Sequence, residues 1–128
     1  MKKILITASA FGALAVMLGA FAAHGLSKVV DHHSIEIFNK GVTYQFYHVF
    51  AIIACALLYH LTLQKRFIIA ARLFVAGICC FSGSLYLLAL KDLLALNTVI
   101  IGPITPLGGL FFVAGWILFL SGVVKIKG

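Results

Sequence analysis

The chain has few charged residues and almost no acidic ones. Only 10% of its 128 residues are charged, and three of these are Asp or Glu, whereas a soluble domain carries roughly 25% charged residues. So few charges cannot build a water-facing surface, which excludes an ordinary soluble domain. No acid lies inside a long apolar stretch, and proton- and cation-coupled transporters usually depend on such acids.

Cysteine and proline are also scarce. Cys55, Cys79 and Cys80 all lie in apolar stretches without a C-x-x-C motif, so we interpret them as small buried hydrophobic residues. Pro103 and Pro106 interrupt the last apolar run. Phosphate loops, dinucleotide fingerprints, haem motifs and lipidation signals are missing as well. The sequence therefore contains no cofactor-binding motif, and we expect no cofactor.

Hydrophobic residues make up 63% of the chain and come in four blocks. A helix needs about 20 apolar residues to cross a bilayer, so the blocks predict an all-α integral membrane four-helix bundle. We place a single transmembrane domain over residues 1–128, with helices at about 4–24, 42–63, 67–90 and 106–124. Thr105 is the predicted N-cap of the fourth helix and Pro106 its first residue.

A cleaved signal peptide is the competing interpretation of the first block. Lys2 and Lys3 form a basic start, and Ala20-Phe21-Ala22 resembles a cleavage site. The apolar region is longer than the hydrophobic region of a signal peptide, which has roughly 7–15 residues. Its small residues also lie along one face of the predicted helix. We therefore expect a retained helix.

The positive charges predict the orientation. An even number of spans puts seven of them on one side without an acid: Lys2, Lys3, Lys65, Arg66, Arg72, Lys125 and Lys127. On the other side, three lysines balance three acids. The positive-inside rule then predicts that both termini are cytoplasmic. We expect a multi-pass protein of the bacterial cytoplasmic (inner) membrane, surrounded by the lipid bilayer, and the basic balance needs no nucleic acid.

Small residues recur every seven positions in the first and fourth blocks. The stripes are Ala8, Ala15 and Ala22, then Gly12 and Gly19, and finally Gly108, Gly115 and Gly122. Such stripes let membrane helices approach closely. We interpret them as internal packing surfaces. A homo-oligomer or a membrane-protein partner held through the same seams is the alternative.

The two outer loops differ in polarity. The first, residues 25–43, is polar, and Ser34 is its predicted helix cap before an amphipathic segment at the interface. The second, residues 93–104, is apolar apart from Asn97 and Thr98. We expect it to enter the outer leaflet or to lie over the bundle as a lid.

Polar side chains concentrate in the outer half of the predicted bundle. They are His24, Tyr44, Gln45, His48, Ser82, Ser84, Tyr86 and Thr105. Polar residues inside a membrane are costly and often functional, so these form a hypothetical binding site in which His24 and His48 meet. Interhelical hydrogen bonding is the plainer interpretation.

Two sharper chemistries have weaker support. His24, His32, His33, Glu36 and His48 are suitable metal ligands, but their spacing matches no zinc pattern; we predict no metal site. A hydrolase pairing Ser82 or Ser84 with a histidine lacks a carboxylate within the spans to orient that histidine. We therefore predict no catalytic residue.

Five motifs carry a family resemblance. They are Gly19-Ala20-Phe21-Ala22-Ala23-His24-Gly25-Leu26, Tyr44-Gln45-Phe46-Tyr47-His48, Phe81-Ser82-Gly83-Ser84-Leu85-Tyr86, Thr105-Pro106-Leu107-Gly108-Gly109 and Gly115-Trp116. In order and extent they resemble domain-of-unknown-function family 423, the YgdD-like small inner-membrane proteins of bacteria. Ala22 departs from that pattern, since the family more often has glycine there. The resemblance implies a four-helix membrane protein without an accepted substrate, and its motifs contain most of the polar residues named above.

Two functional classes follow from these features. The first is an accessory or assembly protein of the membrane. The alternative is an oligomeric carrier or a small-molecule or metal-binding membrane protein, with its site in the outer half. Tight, dry packing around His24 and His48 favours the first class, and a hydrated cavity there favours the second. An enzyme is a distant third.

Overall fold

The computed structural model describes residues 1–126, and within them the chain is helical and has no strand. The helices are α1 (Lys2–His24), α2 (His32–Thr62), α3 (Lys65–Gly77), α4 (Gly83–Ala89), α5 (Thr98–Ile101) and α6 (Ile104–Val123). A π-helical stretch, Ile78–Ser82, joins α3 to α4 without a break. Lys127, one of the seven charges counted above, lies outside the described residues.

Four segments of the described chain are long and apolar enough to cross a membrane. They are Lys2–Lys28, His32–Thr62, Lys65–Ala89 and Thr98–Val123. The third combines α3, the π-helical stretch and α4, and the fourth combines α5 and α6. The predicted all-α, four-helix membrane fold is confirmed.

Helix α2 begins far outside the second apolar block. Asp31 caps it, because its carboxylate accepts a hydrogen bond from the Ser34 backbone N–H at 2.7 Å. Hydrogen bonding from Ser34 also lowers the pKa of the Asp31 carboxyl from its ordinary value. The prediction that Ser34 is the cap was wrong: Ser34 is the N3 residue whose N–H the cap satisfies. The polar segment and the second span are thus one helix of 31 residues.

A very short connection joins α2 to α3. Leu63 adopts a left-handed conformation (φ 56°), and its N–H donates to the Tyr59 carbonyl oxygen. This ends α2 as a left-handed C-terminal residue commonly does. Gln64 alone separates Leu63 from α3, so α2 and α3 must pack side by side. Arg66 then donates from Nη1 to the Ser121 carbonyl oxygen at 3.1 Å, which links α3 to the end of α6.

The spans form a central pair with one helix against each member. Helix α1 packs against α2, and α6 packs against α3 and the π-helical stretch. Within the most apolar part of each span, 44% of residues are buried in the second and third spans, against 11% in the first and 17% in the fourth. The first and fourth spans therefore present most of their surface to the bilayer.

Close packing of α6 on its neighbour depends on glycines that receive phenylalanine rings. A methyl group on Gly115 would lie 2.6 Å from Phe74 Cε1, and one on Gly122 would lie 2.8 Å from Phe67 Cζ. One on Gly108 would collide with the backbone of Phe81. Phe67, Phe74 and Phe81 are themselves seven residues apart. The antiparallel neighbour therefore fills the glycine stripe with the rings of Phe67 and Phe74 and with the backbone of Phe81.

The stripes of α1 face α2. Ala8, Ala15 and Ala22 are fully buried. Gly12 lies against Val49 and Gly19 against Val42: a methyl group added to either glycine would be 3.5 or 3.6 Å, respectively, from the nearest valine carbon. Both sets of small residues thus pack one helix on another within the chain, as interpreted from their spacing.

The start of α6 differs from the prediction. The helix begins at Ile104, directly after Pro103, and Thr105 lies inside its first turn. Thr105 does not cap the helix because its hydroxyl bonds instead to Ser84. In the preceding loop Leu93, Leu94, Val99 and Ile100 are exposed, and Ile101 is buried. Most of this loop does not cover the bundle, so its exposed apolar side chains suit the membrane leaflet on the side opposite the N-terminus.

Candidate functional site

His24 stands apart from the other predicted site residues. It is exposed at the end of α1, and its Nδ1 is 3.1 Å from the carbonyl oxygen of Ala20 in the same helix. Within residues 1–126, no hydrogen bond or ring contact joins it to His48. The predicted meeting of the two histidines was wrong, because Gly12 packs against Val49 and Gly19 against Val42, and this register places His48 beside the middle of α1 and not beside its end.

Gln45 is the junction of three helices. It is buried in α2, and its Nε2 donates to the carbonyl oxygen of Phe11 in α1 at 2.7 Å. Its Oε1 accepts a hydrogen bond from the Tyr86 hydroxyl in α4, also at 2.7 Å. A primary amide can donate and accept at once. Here the amide nitrogen bonds to α1 and the amide oxygen to α4.

Ser82 and Tyr86 bind α2 at a glycine. The buried Ser82 hydroxyl donates to the Gly41 carbonyl oxygen at 2.7 Å. A methyl group on Gly41 would be only 2.7 Å from Tyr86 Cε1, so the Tyr86 ring needs glycine there. The other side of that ring packs against Phe38, with 4.7 Å between the ring centroids. These contacts hold α4 against the N-terminal half of α2.

Ser84 and Thr105 join α4 to α6. Their hydroxyl oxygens are 2.6 Å apart, and the Ser84 hydroxyl also lies 2.9 Å from the Phe81 carbonyl oxygen. If Ser84 donates to Phe81, its oxygen still accepts from Thr105, so both contacts are satisfied together. Both hydroxyls therefore serve contacts between or within helices.

His48 is buried and uses both ring nitrogens. Trp116 Nε1 donates to His48 Nε2 at 3.2 Å, and His48 Nδ1 lies 2.7 Å from the Tyr44 carbonyl oxygen. Because an indole N–H can only donate, Nε2 must be the acceptor and Nδ1 must carry the proton. The neutral ring is stacked on Phe112, with centroids 3.5 Å apart and planes 5° from parallel. Tyr44 itself is partly exposed and packs against Phe81 at 4.8 Å.

A shallow aromatic groove lies beside His48, between α2 and α6. It encloses about 490 Å³. Its lining residues are Tyr44, Tyr47, His48, Phe81, Gly109, Phe112, Val113 and Trp116, none of which is charged. Tyr47 and Val113 are exposed on the surface of the helix bundle. The groove thus faces the side of the bundle that meets lipid.

These contacts leave little polar capacity for chemistry. In the described part of the chain, every buried side-chain nitrogen and oxygen has a hydrogen-bond partner. Residues 1–126 contain no group of three or more His, Cys, Asp or Glu arranged for a metal ion. The hydroxyls of Ser82 and Ser84 bond to backbone and to Thr105, and neither bonds to a histidine. The arrangement holds helices together: both ring nitrogens of His48 have partners, although its ring also lines the aromatic groove.

The partners of His48 were not predicted from the sequence. Trp116 is the only tryptophan, and it lies midway along α6. An indole N–H at that depth needs an acceptor, which is a signal for a polar partner on a neighbouring helix. The stripe of Phe67, Phe74 and Phe81 was also available, since it repeats the seven-residue spacing of the glycines it fills.

Comparison with known proteins gives one family over most of the chain. A family model described as "Protein of unknown function (DUF423)" matches residues 18–109. No solved structure matches the chain.

Full-length relatives agree with that match. The UPF0382 membrane protein SAB0533 of Staphylococcus aureus is 36% identical over 100% of both chains. YwdK of Bacillus subtilis is 37% identical over 98% of each chain. The UPF0382 inner membrane protein YgdD of Escherichia coli is 36% identical over 98% of this chain and 92% of its own.

These relatives and the four apolar spans confirm the expected localisation, a multi-pass protein of the bacterial cytoplasmic membrane. The resemblance seen in the motifs is also confirmed. The chain belongs to the DUF423 family of small membrane proteins.

Proposed function

We propose that the protein is an accessory or assembly protein of the cytoplasmic membrane, which contacts other membrane proteins through the outward faces of α1 and α6. The observation that carries this proposal is the complete pairing of the buried polar side chains among residues 1–126. Gln45, Ser82 and His48 are each committed to a neighbouring helix. A bundle built this way is suited to presenting a fixed surface.

The partner surface is proposed from exposure. Val16 and Met17 on α1 are 60% and 67% exposed, and Leu110 and Ile117 on α6 are 66% and 62% exposed. The small-residue stripes are already filled within the chain. A partner, whether a second copy or another protein, would therefore contact these larger apolar side chains.

The alternative, a carrier or binder with a site in the outer half, has less support. Its central expectation was a cavity between His24 and His48, and those residues have separate surroundings. The groove beside His48 has no charged lining residue to hold an ion or an acidic solute.

We also propose that both termini lie in the cytoplasm. The support is the distribution of charge: the side that carries the termini and the α2–α3 connection holds seven positive residues and no acid. The opposite side has no net charge. Translocation disfavours short loops rich in Lys and Arg.

Photo-crosslinking in cells tests the accessory role. A photoreactive amino acid would replace Met17 or Ile117, with Leu57 on α2, which is 53% exposed, as the comparison position. With the protein at its native expression level, we expect a discrete protein adduct from the position on α1 or α6 and none from Leu57. Lipid adducts alone at all three positions, together with solute uptake by vesicles containing the purified protein, would instead establish a carrier.

A further inference from the structure

Arg72 is a charged residue inside the third span, without a partner among residues 1–126. It lies seven residues beyond Lys65, the first residue of α3, which is about 10 Å along the helix axis. Among residues 1–126 the one contact at salt-bridge distance joins His32 to Glu36, near the start of α2. The Arg72 side chain is exposed and forms no hydrogen bond with a described residue. An arginine at this depth is costly unless a counter-charge or the interface is within reach.

Arg72 lines a groove together with a second cation. The groove, here called the cationic groove, lies between the start of α1, the end of α2 and α3, and encloses about 510 Å³. Lys3 lines it from α1 and Tyr59 from α2. None of its lining residues is acidic. Two positive side chains that share one groove repel each other unless an anion lies between them.

The cationic groove also has an apolar wall, and Met1 and Thr7 complete its lining. Ile4, Ile68 and Val75 line it beside the two cations. A ligand that suits it therefore carries a negative headgroup and a hydrocarbon chain. Arginine binds phosphate oxygens in a bidentate manner, and lysine acts on them as a point charge. Basic pockets between membrane helices are known to take acidic lipid headgroups.

We propose that the cationic groove binds an anionic phospholipid, with Arg72 and Lys3 on the headgroup phosphate and an acyl chain along Ile4, Ile68 and Val75. The long arginine side chain reaches from its helix position toward the headgroup level, where Lys3 lies in the first turn of α1. Tyr59, which also lines the groove, carries a hydroxyl that can donate a hydrogen bond to the same headgroup. Assignment of this lipid to the cytoplasmic leaflet rests on the proposed orientation, whereas the binding itself does not.

Native mass spectrometry of the purified full-length protein in detergent tests this proposal with added phosphatidylglycerol. We expect Arg72→Gln and Lys3→Gln each to weaken binding about tenfold, since each removes one charge-assisted contact. Lys65→Gln and Lys2→Gln are matched controls: both residues are exposed, carry the same charge at the same end of the bundle and lie outside the groove lining. The controls should stay within about twofold of the wild type.

Further arms separate lipid from simple anion binding. Phosphatidylcholine should bind the wild type more weakly than phosphatidylglycerol, and millimolar inorganic phosphate should not displace the lipid. Arg72→Lys should retain more binding than Arg72→Gln, and circular dichroism should give equal helix content for all variants. Equal losses in groove and control variants would overturn the proposal, as would full competition by inorganic phosphate. Should Arg72→Gln fail to fold, the pair Lys3→Gln and Lys2→Gln decides the question alone.

Discussion

Two adjacent glycines of α6 have different surroundings. A methyl group on Gly108 would collide with the Phe81 backbone, with the Phe81 Cα at 2.7 Å. One on Gly109 would find its nearest atom, Phe81 Cδ2, at 3.9 Å. A backbone cannot move aside as a flexible side chain can, so the two positions tolerate substitution differently even though both are glycine in one helix turn.

Gly108→Ala should therefore destabilise the protein by about 1–3 kcal/mol, the usual range for overpacking. Gly109→Ala should be neutral or stabilising by up to about 1 kcal/mol, because alanine favours a helix over glycine. Thermal unfolding in detergent, followed by circular dichroism, measures both. Equal unfolding temperatures for the two variants would contradict the close approach of α6 to the π-helical stretch.

His48 and His60 make a second informative pair on α2. His48 is buried between Trp116 and Phe112, whereas His60 is exposed near the end of the helix. Replacing His48 by leucine leaves the Trp116 N–H without an acceptor and removes the ring stack.

We expect His48→Leu to lower the free energy of unfolding by about 1–3 kcal/mol, the cost of leaving a polar group unpaired away from water. His60→Leu should stay within about 0.5 kcal/mol of the wild type, as exposed substitutions usually do. Chemical unfolding in detergent micelles, monitored by Trp116 fluorescence, gives both values. A larger loss from His60→Leu would show that the His48 contacts contribute little.

At the scale of helices, Gln45 is the contact that joins α1, α2 and α4. A double-mutant cycle with Gln45→Met and Tyr86→Phe isolates its bond to Tyr86. Side-chain hydrogen bonds between membrane helices average about 0.6 kcal/mol and reach about 1.7. We expect a coupling free energy in that range from unfolding measurements on the four proteins.

The control for this cycle is the pair Gln45→Met and Thr62→Val. Thr62 bonds to Leu58 within its own helix, so its coupling to Gln45 should be zero within error. Coupling as large as that of Tyr86 would mean that Gln45→Met disturbs α2 as a whole.

The apolar blocks predicted the helices well, and the sequence was less informative about where polar groups bond. Blocks of apolar residues and seven-residue glycine spacing follow directly from what a bilayer requires. The acceptors for Gln45 and Ser82 are backbone carbonyls of Phe11 and Gly41, and every residue has such a carbonyl. Nothing in the sequence distinguishes these two.

The π-helical stretch explains another part of what was missed. Ile78–Ser82 changes the rotation of α4 relative to α3. Ser84 and Tyr86 therefore face Thr105 and Gln45 at angles that an uninterrupted α-helix through the third block would not give. A pattern of apolar residues every three or four positions does not specify such a local change.

For the whole molecule, the proposed orientation makes a direct prediction. Alkaline phosphatase fused after Gln64 or after the last residue should be inactive in cells, because it would remain in the cytoplasm, where its disulfides do not form. A fluorescent protein at the same two positions should be bright. Fusion after Asn97, in the loop before α5, is the positive control for phosphatase activity. Phosphatase activity from either of the first two positions would reverse the orientation.

The length of α2 bears on the thickness of the membrane that this protein inhabits. The whole helix is about 46 Å long, and its stretch from Gly41 to Thr62, which has no Asp, Glu, Lys or Arg, is about 33 Å, close to the roughly 30 Å of a bilayer's hydrocarbon core. Lys40 bounds that stretch at one end, and Gln64 and Lys65 follow it at the other, so sliding the helix either way draws a polar group into hydrocarbon. A thinner bilayer must then be met by tilting. Gln45 bonds α2 to α1, and Arg66 bonds α3 to α6. Because these hydrogen bonds link the helices to one another, the bundle should tilt as one body and not helix by helix.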